Sequence, residues 1–176
     1  MSPRPPTDAE RFAALWDLYA PRVQAYALRR VDRDGAQEVV AETFTVAWRR
    51  LADVPGDPLP WLLVVARNTL LNHRRSAYRA RDLHAALTSL VPASPSDPAE
   101  AVAERTSLLR ALVDLPASDR EALLLVAWDG LGPAEAAAVL GCTPAAFKMR
   151  LSRARRRLER AVDGTAPLPT IARSLA

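Results

Sequence analysis

The chain has 176 residues and 19.2 kDa, enough for one compact domain or two small ones. Hydrophobic residues at 49% and charged residues at 25% can build cores, and the longest purely apolar run, Ala122 to Trp128, is far short of a membrane span. One cysteine and two histidines argue against a disulfide framework, a zinc site or any cofactor-bearing metal chemistry, which suggests a protein of the reducing cytosol without membrane insertion.

Of the 24 basic residues only Lys148 is a lysine; the other 23 are arginines. The net charge is +4. Such a balance permits a nucleic-acid partner without establishing one, so the placement of the arginines matters more than their number.

Glycines and prolines punctuate stretches rich in Ala, Leu, Arg and Glu, all good helix formers, and no alternating strand pattern appears. The chain therefore reads as all-α. A first helix is predicted from Asp8 to about Val31, with Phe12, Leu15, Trp16, Tyr19, Val23, Tyr26 and Ala27 at helical spacing and a kink or break at Pro21. A second opens at Asp34 or Gly35 and runs to about Ala52. It carries Val39, Val40, Phe44, Ala47, Trp48 and Leu51 on one side. After a Pro-rich loop, Asp53 to Pro60, a third runs from about Leu59 to Arg81, apolar and buried from Trp61 to Ala66 and basic at its end.

Residues 83–102 contain three prolines with Ser and Asp and read as a linker. Four further helices follow, near 103–114, 118–129, 133–140 and 144–162. Ser118 and Thr143 are the expected N-caps, and Pro133 and Pro144 are first-turn prolines. The domains are thus 8–82 and 103–162, with a tail, 163–176, that is either disordered or laid over a domain surface.

The short helix 133–140, the Gly141 turn and the longer last helix have helix-turn-helix proportions. On a helical wheel Phe147, Leu151, Ala154 and Leu158 fall within about 60° of one another, a core stripe. Ala145, Met149, Ser152, Arg153, Arg156 and Arg160 fall opposite, flanked by Lys148 and Arg155 on one side and by Arg150 and Arg157 on the other. From Gly141 to Arg160 seven basic residues stand against Glu159, a local excess of +6 that exceeds the whole chain's charge. Such a helix fits a major groove, its flanking cations on the phosphates, and small Ala145 and Ala146 permit close approach.

A second basic cluster, Arg67, Arg74, Arg75, Arg79 and Arg81, is interleaved with Asn68, Asn72, His73 and Tyr78. Two readings stand: a solvated helix end, or a surface for single-stranded DNA, where guanidiniums follow phosphates and amides meet exposed bases. Acidic Glu38 and Glu42 are either favourable charges near a helix start or a docking face for a basic protein. Cys142 reads as a small packed residue ahead of a redox sensor.

In this order the segments resemble a bacterial RNA polymerase sigma factor of the extracytoplasmic-function type. Ala36-Gln-Glu-Val-Val-Ala-Glu-Thr-Phe44 with Ala47-Trp48 looks like that family's region 2.2, and Pro60-Trp-Leu-Leu-Val-Val-Ala-Arg-Asn68 like region 2.3 entering 2.4. Leu115-Pro-Ala-Ser-Asp-Arg-Glu-Ala-Leu-Leu-Leu125, Gly130-Leu-Gly-Pro-Ala-Glu-Ala-Ala-Ala-Val-Leu-Gly141 and Phe147-Lys-Met-Arg-Leu-Ser-Arg-Ala-Arg155 look like region 4.

The resemblance implies a non-enzymatic initiation factor that binds core RNA polymerase through Glu38, Glu42, Thr43 and Trp48, although the side chains of Phe44 and Trp48 read first as core. It implies that Arg67, Asn68, Asn72, Arg75, Tyr78 and Arg79 take the unwound −10 element of promoter DNA. Thr143, Ala145, Ala146, Lys148, Met149, Arg150, Ser152, Arg153 and Arg156 would read the −35 element. It also implies an anti-sigma partner. Ala41, Asn72, Arg74, Gly132, Ala145, Ala146 and Met149 depart from the family's usual residues, so base contacts do not transfer from relatives. The competing expectation is a helix-turn-helix regulator that does not recruit polymerase.

Overall fold

A computed structural model of the chain describes residues 4–75 and 99–163, apart from the side chains of 73–75, 99–104 and 163. The chain divides into two units, Met1–Arg81 and Asp82–Ala176. All regular structure among the described residues is helical.

The first unit is built from α1 (Asp8–Leu28), α2 (Arg33–Arg49), a 3₁₀ turn (Leu51–Asp53) and α3 (Pro58–Arg75), with all three α-helices in mutual contact. Its core is Leu15, Val23, Tyr26, Ala36, Val39, Phe44, Ala47, Leu62, Leu63 and Ala66. Thr7 caps α1: its hydroxyl accepts from the Glu10 N–H, and the Glu10 carboxylate accepts from the Thr7 N–H at 2.6 Å.

Of the two expectations for Pro21, a kink or a break, the break is excluded: α1 runs through it undivided. Leu15 and Ala20 before it and Val23, Tyr26 and Ala27 after it enter one core. That shared burial outweighs the penalty of about 3 kcal/mol for an interior proline. The second helix also starts earlier than expected. Asp32, in extended conformation, accepts from the Gly35 N–H at 3.0 Å, so Arg33 is the first helical residue.

The second unit comprises α4 (Ala99–Asp114), α5 (Ala117–Ala127), α6 (Pro133–Leu140) and α7 (Pro144–Asp163). α7 packs against the other three and closes the core over Leu108, Leu112, Ala122, Leu125, Ala136 and Val139. α4 begins at Ala99, within the stretch expected as linker. Ser118 is not the cap of α5; Pro116 precedes its first residue with no side-chain cap. The Arg120 guanidinium instead donates to the carbonyls of Leu112, Val113 and Leu115 at 3.3, 2.6 and 3.1 Å. These include carbonyls of the last turn of α4, which lack helical partners, so the arginine ties α5 to the end of α4.

No helix among the described residues is long and apolar enough to cross a membrane.

Candidate nucleic-acid interface

The helix-turn-helix is set by backbone chemistry at both sides of its turn. Gly132 cannot cap α6 through a side chain, but the Glu135 carboxylate accepts from its N–H at 2.6 Å. α6 ends at Gly141 in the left-handed region, φ 66°, where the Gly141 N–H reaches the Ala138 carbonyl and the Cys142 N–H the Ala137 carbonyl. This Schellman closure turns the chain within two residues. The Thr143 hydroxyl then accepts from the Ala146 N–H at 3.2 Å and starts α7.

α7 is divided along its length. Phe147, Leu151, Ala154, Leu158 and Val162 are buried. Ala145, Ala146, Lys148, Met149, Ser152, Arg153 and Arg156 are exposed, and Arg150 is half-buried. Met149 is 74% exposed, the most open large apolar residue of the described chain. The −35 candidates therefore share the open side of one helix, with Thr143 serving as its cap.

One residue of this unit is absent from the expectations. Asp119, on α5, is buried with its side chain 2% exposed. Its carboxylate accepts a hydrogen bond from Arg157 and lies 4.0 Å from Nε of Arg153. The sequence carries a trace of this: Asp119 shares the i, i+3, i+4 stripe of Ala122 and Leu123, an acid on an apolar face. Arg157, which the helical wheel placed on a flank, is paired with this buried acid, although 41% of its own side chain stays exposed.

In the first unit, Asn68 and Asn72 are exposed on α3 and Arg67 is half-buried. Their spacing puts Asn68, Asn72 and Arg75 on one helical face. The Arg75 side chain and residues Tyr78 and Arg79 lie outside what the structure describes, as do Arg74 and Arg81. Leu71, also on α3, is partly exposed.

The candidates on α2 separate. Glu38 and Glu42 are exposed, whereas Thr43 is fully buried and its hydroxyl has no hydrogen-bond partner. A side chain inside the core cannot meet a partner, so Thr43 leaves the proposed docking face. Phe44 is core, as expected, but Trp48 is 50% exposed, contrary to its reading as core. Its ring meets Phe12 edge-on at 5.1 Å, and Trp16 meets Phe44 at 4.7 Å. These contacts make an aromatic ridge where α1 faces α2. Beside it lies a groove of about 470 Å³ lined by Trp16, Pro21, Gln24, Gln37, Val40 and Ala41.

Two family models match the chain: sigma-70 region 2 over residues 15–80 and sigma-70, region 4 over residues 105–158. The RNA polymerase sigma factor NccH of Alcaligenes xylosoxydans xylosoxydans is 32% identical over 167 residues, covering 84% of this chain and 89% of NccH. The ECF RNA polymerase sigma factor EcfG of Rhodopseudomonas palustris is 34% identical, covering 78% and 77%. The chain belongs to the ECF sigma factors.

A further relative, the probable RNA polymerase sigma factor RfaY of Xanthomonas campestris pv. campestris, is 35% identical over 139 residues, but this sigma factor covers 34% of its length. Among solved structures, the sigma factor RpoE in complex with the anti-sigma factor NepR from Bartonella quintana superposes with a TM-score of 0.62 at 25% identity, covering 88% of this chain and 98% of that one. CnrH in complex with the cytosolic domain of CnrY gives 0.57 at 28% identity, covering 88% and 89%. The region 2 match of the sigma factor contains α2 and α3 whole and α1 from Leu15 onward. The region 4 match begins within α4 at Arg105 and ends at Leu158 in the core stripe of α7.

Proposed function

We propose that this ECF sigma factor divides promoter recognition between its units. Domain 8–82 docks on polymerase and captures the −10 strand, and the second domain, which begins with α4 at Ala99, reads the −35 duplex across the segment that joins the two. The sidedness of α7 carries the reading. A buried stripe fastens one side to the unit, and the other presents small, apolar and cationic side chains from the first turn onward. A helix so mounted enters a major groove with Ala145, Ala146, Met149 and Ser152 toward base edges and Lys148, Arg150 and Arg156 toward phosphates. Exposed Met149 offers thymine methyl groups an apolar contact.

The end of α3, with Asn68, Asn72 and Arg75 on one face and Arg67, Tyr78 and Arg79 nearby in sequence, suits an unstacked strand. Opening is then capture: bases that leave the duplex are held, and the equilibrium shifts toward the open form. Each unit binds weakly alone, and the connection raises the effective concentration of the second contact. The chain forms and breaks no bond itself, and it acts where polymerase and chromosome meet, in the cytoplasm.

The docking face for core polymerase comprises Glu38, Glu42 and Trp48, extended by Phe12 and Trp16 on α1. Acidic rims with half-exposed aromatics suit a basic, amphipathic partner. The two solved relatives described above are complexes whose partners are an anti-sigma factor and a cytosolic domain, which supports an anti-sigma partner here. A regulator that ignores polymerase would leave this first unit without a task.

Transcription by core polymerase with this chain and a pool of random promoters tests the proposal. Enrichment of templates with two conserved elements at fixed spacing is the expected result. Failure to copurify with core polymerase at low salt would refute it.

A further inference from the structure

We propose that Asp119 is a positioning residue that sharpens −35 specificity by controlling two arginines of α7. The inference rests on α7 being the −35 reader. A free arginine on a DNA-facing helix attaches to any phosphate, strengthening binding to every sequence alike. Specificity is the difference between right and wrong sites, so unrestrained cations erode it.

The structure restrains two of them. Arg157 donates to a carboxylate that is itself buried on α5, about 20 Å along α7 from Pro144. It is thereby withdrawn from the phosphate-binding set. Arg153 is drawn to the same acid by charge alone, without a hydrogen bond. Its Nε faces Asp119 at 4.0 Å, while the side chain remains 55% exposed. The terminal Nη pair of its guanidinium is left for an outside acceptor, and that pair matches the O6 and N7 of guanine or two phosphate oxygens. An arginine oriented before DNA arrives loses less side-chain entropy on binding. Asp119 thus removes one cation from non-specific binding and aims another.

The test compares polymerase holoenzyme carrying the wild-type chain with holoenzyme carrying Asp119→Asn, a variant of the same shape without the charge. Binding is measured from low to high salt on a promoter recovered from the random pool and on the same promoter with its −35 element scrambled. Thermal melting and circular dichroism check folding. Asp119→Asn is expected to bind the scrambled duplex at least as well as wild type. Its preference for the intact promoter should fall about tenfold. The slope of log affinity against log salt should steepen by about 0.9 for each arginine released onto phosphate. Adding Arg157→Gln should return about 0.9 of that slope.

A folded Asp119→Asn protein with unchanged slope and unchanged preference overturns the proposal. So does an equal loss on both duplexes, the mark of a purely structural acid. If Asp119→Asn does not fold, Arg157→Gln alone decides: a wild-type slope supports withdrawal of Arg157, and a slope shallower by about 0.9 shows Arg157 on phosphate and overturns it. Wild-type holoenzyme that binds both duplexes equally refutes α7 as the −35 reader, a failure separate from any result on Asp119.

Discussion

Trp48 and Phe147 are both aromatic residues at apolar positions of amphipathic helices, and their environments give them opposite tasks. Phe147 is fully enclosed on the inner side of α7, so Phe147→Ala removes a whole ring from a core. It is expected to cost about 3–5 kcal/mol and lower the melting temperature by well over ten degrees, measured by circular dichroism. Trp48 touches Phe12 only by a ring edge and is open on its other side. Trp48→Ala should cost about 1 kcal/mol in stability but weaken binding to core polymerase by tenfold or more, read by titration of labelled polymerase. A stability loss without a binding loss would return Trp48 to a packing role. Thr43 shows the reverse case: the family resemblance put it on the docking face, and its place among the helices buries it. Side-chain chemistry alone does not settle such cases, because the exposed arc of α2 depends on where α1 and α3 lie.

Caps and turns govern the elements. Gly141 has φ 66°, and a Cβ built there meets no atom within 4 Å. Gly141→Ala therefore tests backbone strain without a clash. It is expected to cost about 1–2 kcal/mol and to reduce promoter binding by misplacing the start of α7, measured by melting and by promoter titration. At α1, the Thr7 N–H and then its hydroxyl hold the Glu10 carboxyl below its ordinary pKa. A folded-state pKa below the unfolded one means the cap contributes fully above the unfolded value and is lost as pH falls through the folded value. Hydrogen exchange should show the first turn of α1 losing protection in that acid range, and Glu10→Gln should remove the pH dependence. The helices themselves were legible from period and punctuation: Pro133–Leu140 and the start of α7 at Pro144 stand where expected. A break at Pro21 and a cap at Ser118 did not form. Local propensity is worth a few kcal/mol at most, and tertiary packing outweighs it.

At the scale of the molecule, the two units are expected to fail separately. Arg75→Ala holoenzyme should retain −35 binding, because α7 is untouched, yet open promoters at least tenfold more slowly, followed by permanganate reactivity of unpaired thymines. Normal opening would argue against the −10 assignment of α3. The all-α class, the helix-turn-helix and the core stripe of α7 were determined by the sequence itself, since helical periodicity and glycine or proline punctuation are local properties. The family, too, was legible in ordered motifs that no single helix carries. Tertiary structure decided which residues of a helix face outward and which polar groups meet at a distance in the chain. Asp119 and Arg157 lie 38 positions apart, and neither predicts the other by spacing. Only the packing of α5 against α7 brings the buried carboxylate to the guanidinium, because burial of the apolar stripes sets the approach of the two helices and their polar side chains must pair where that approach leaves them.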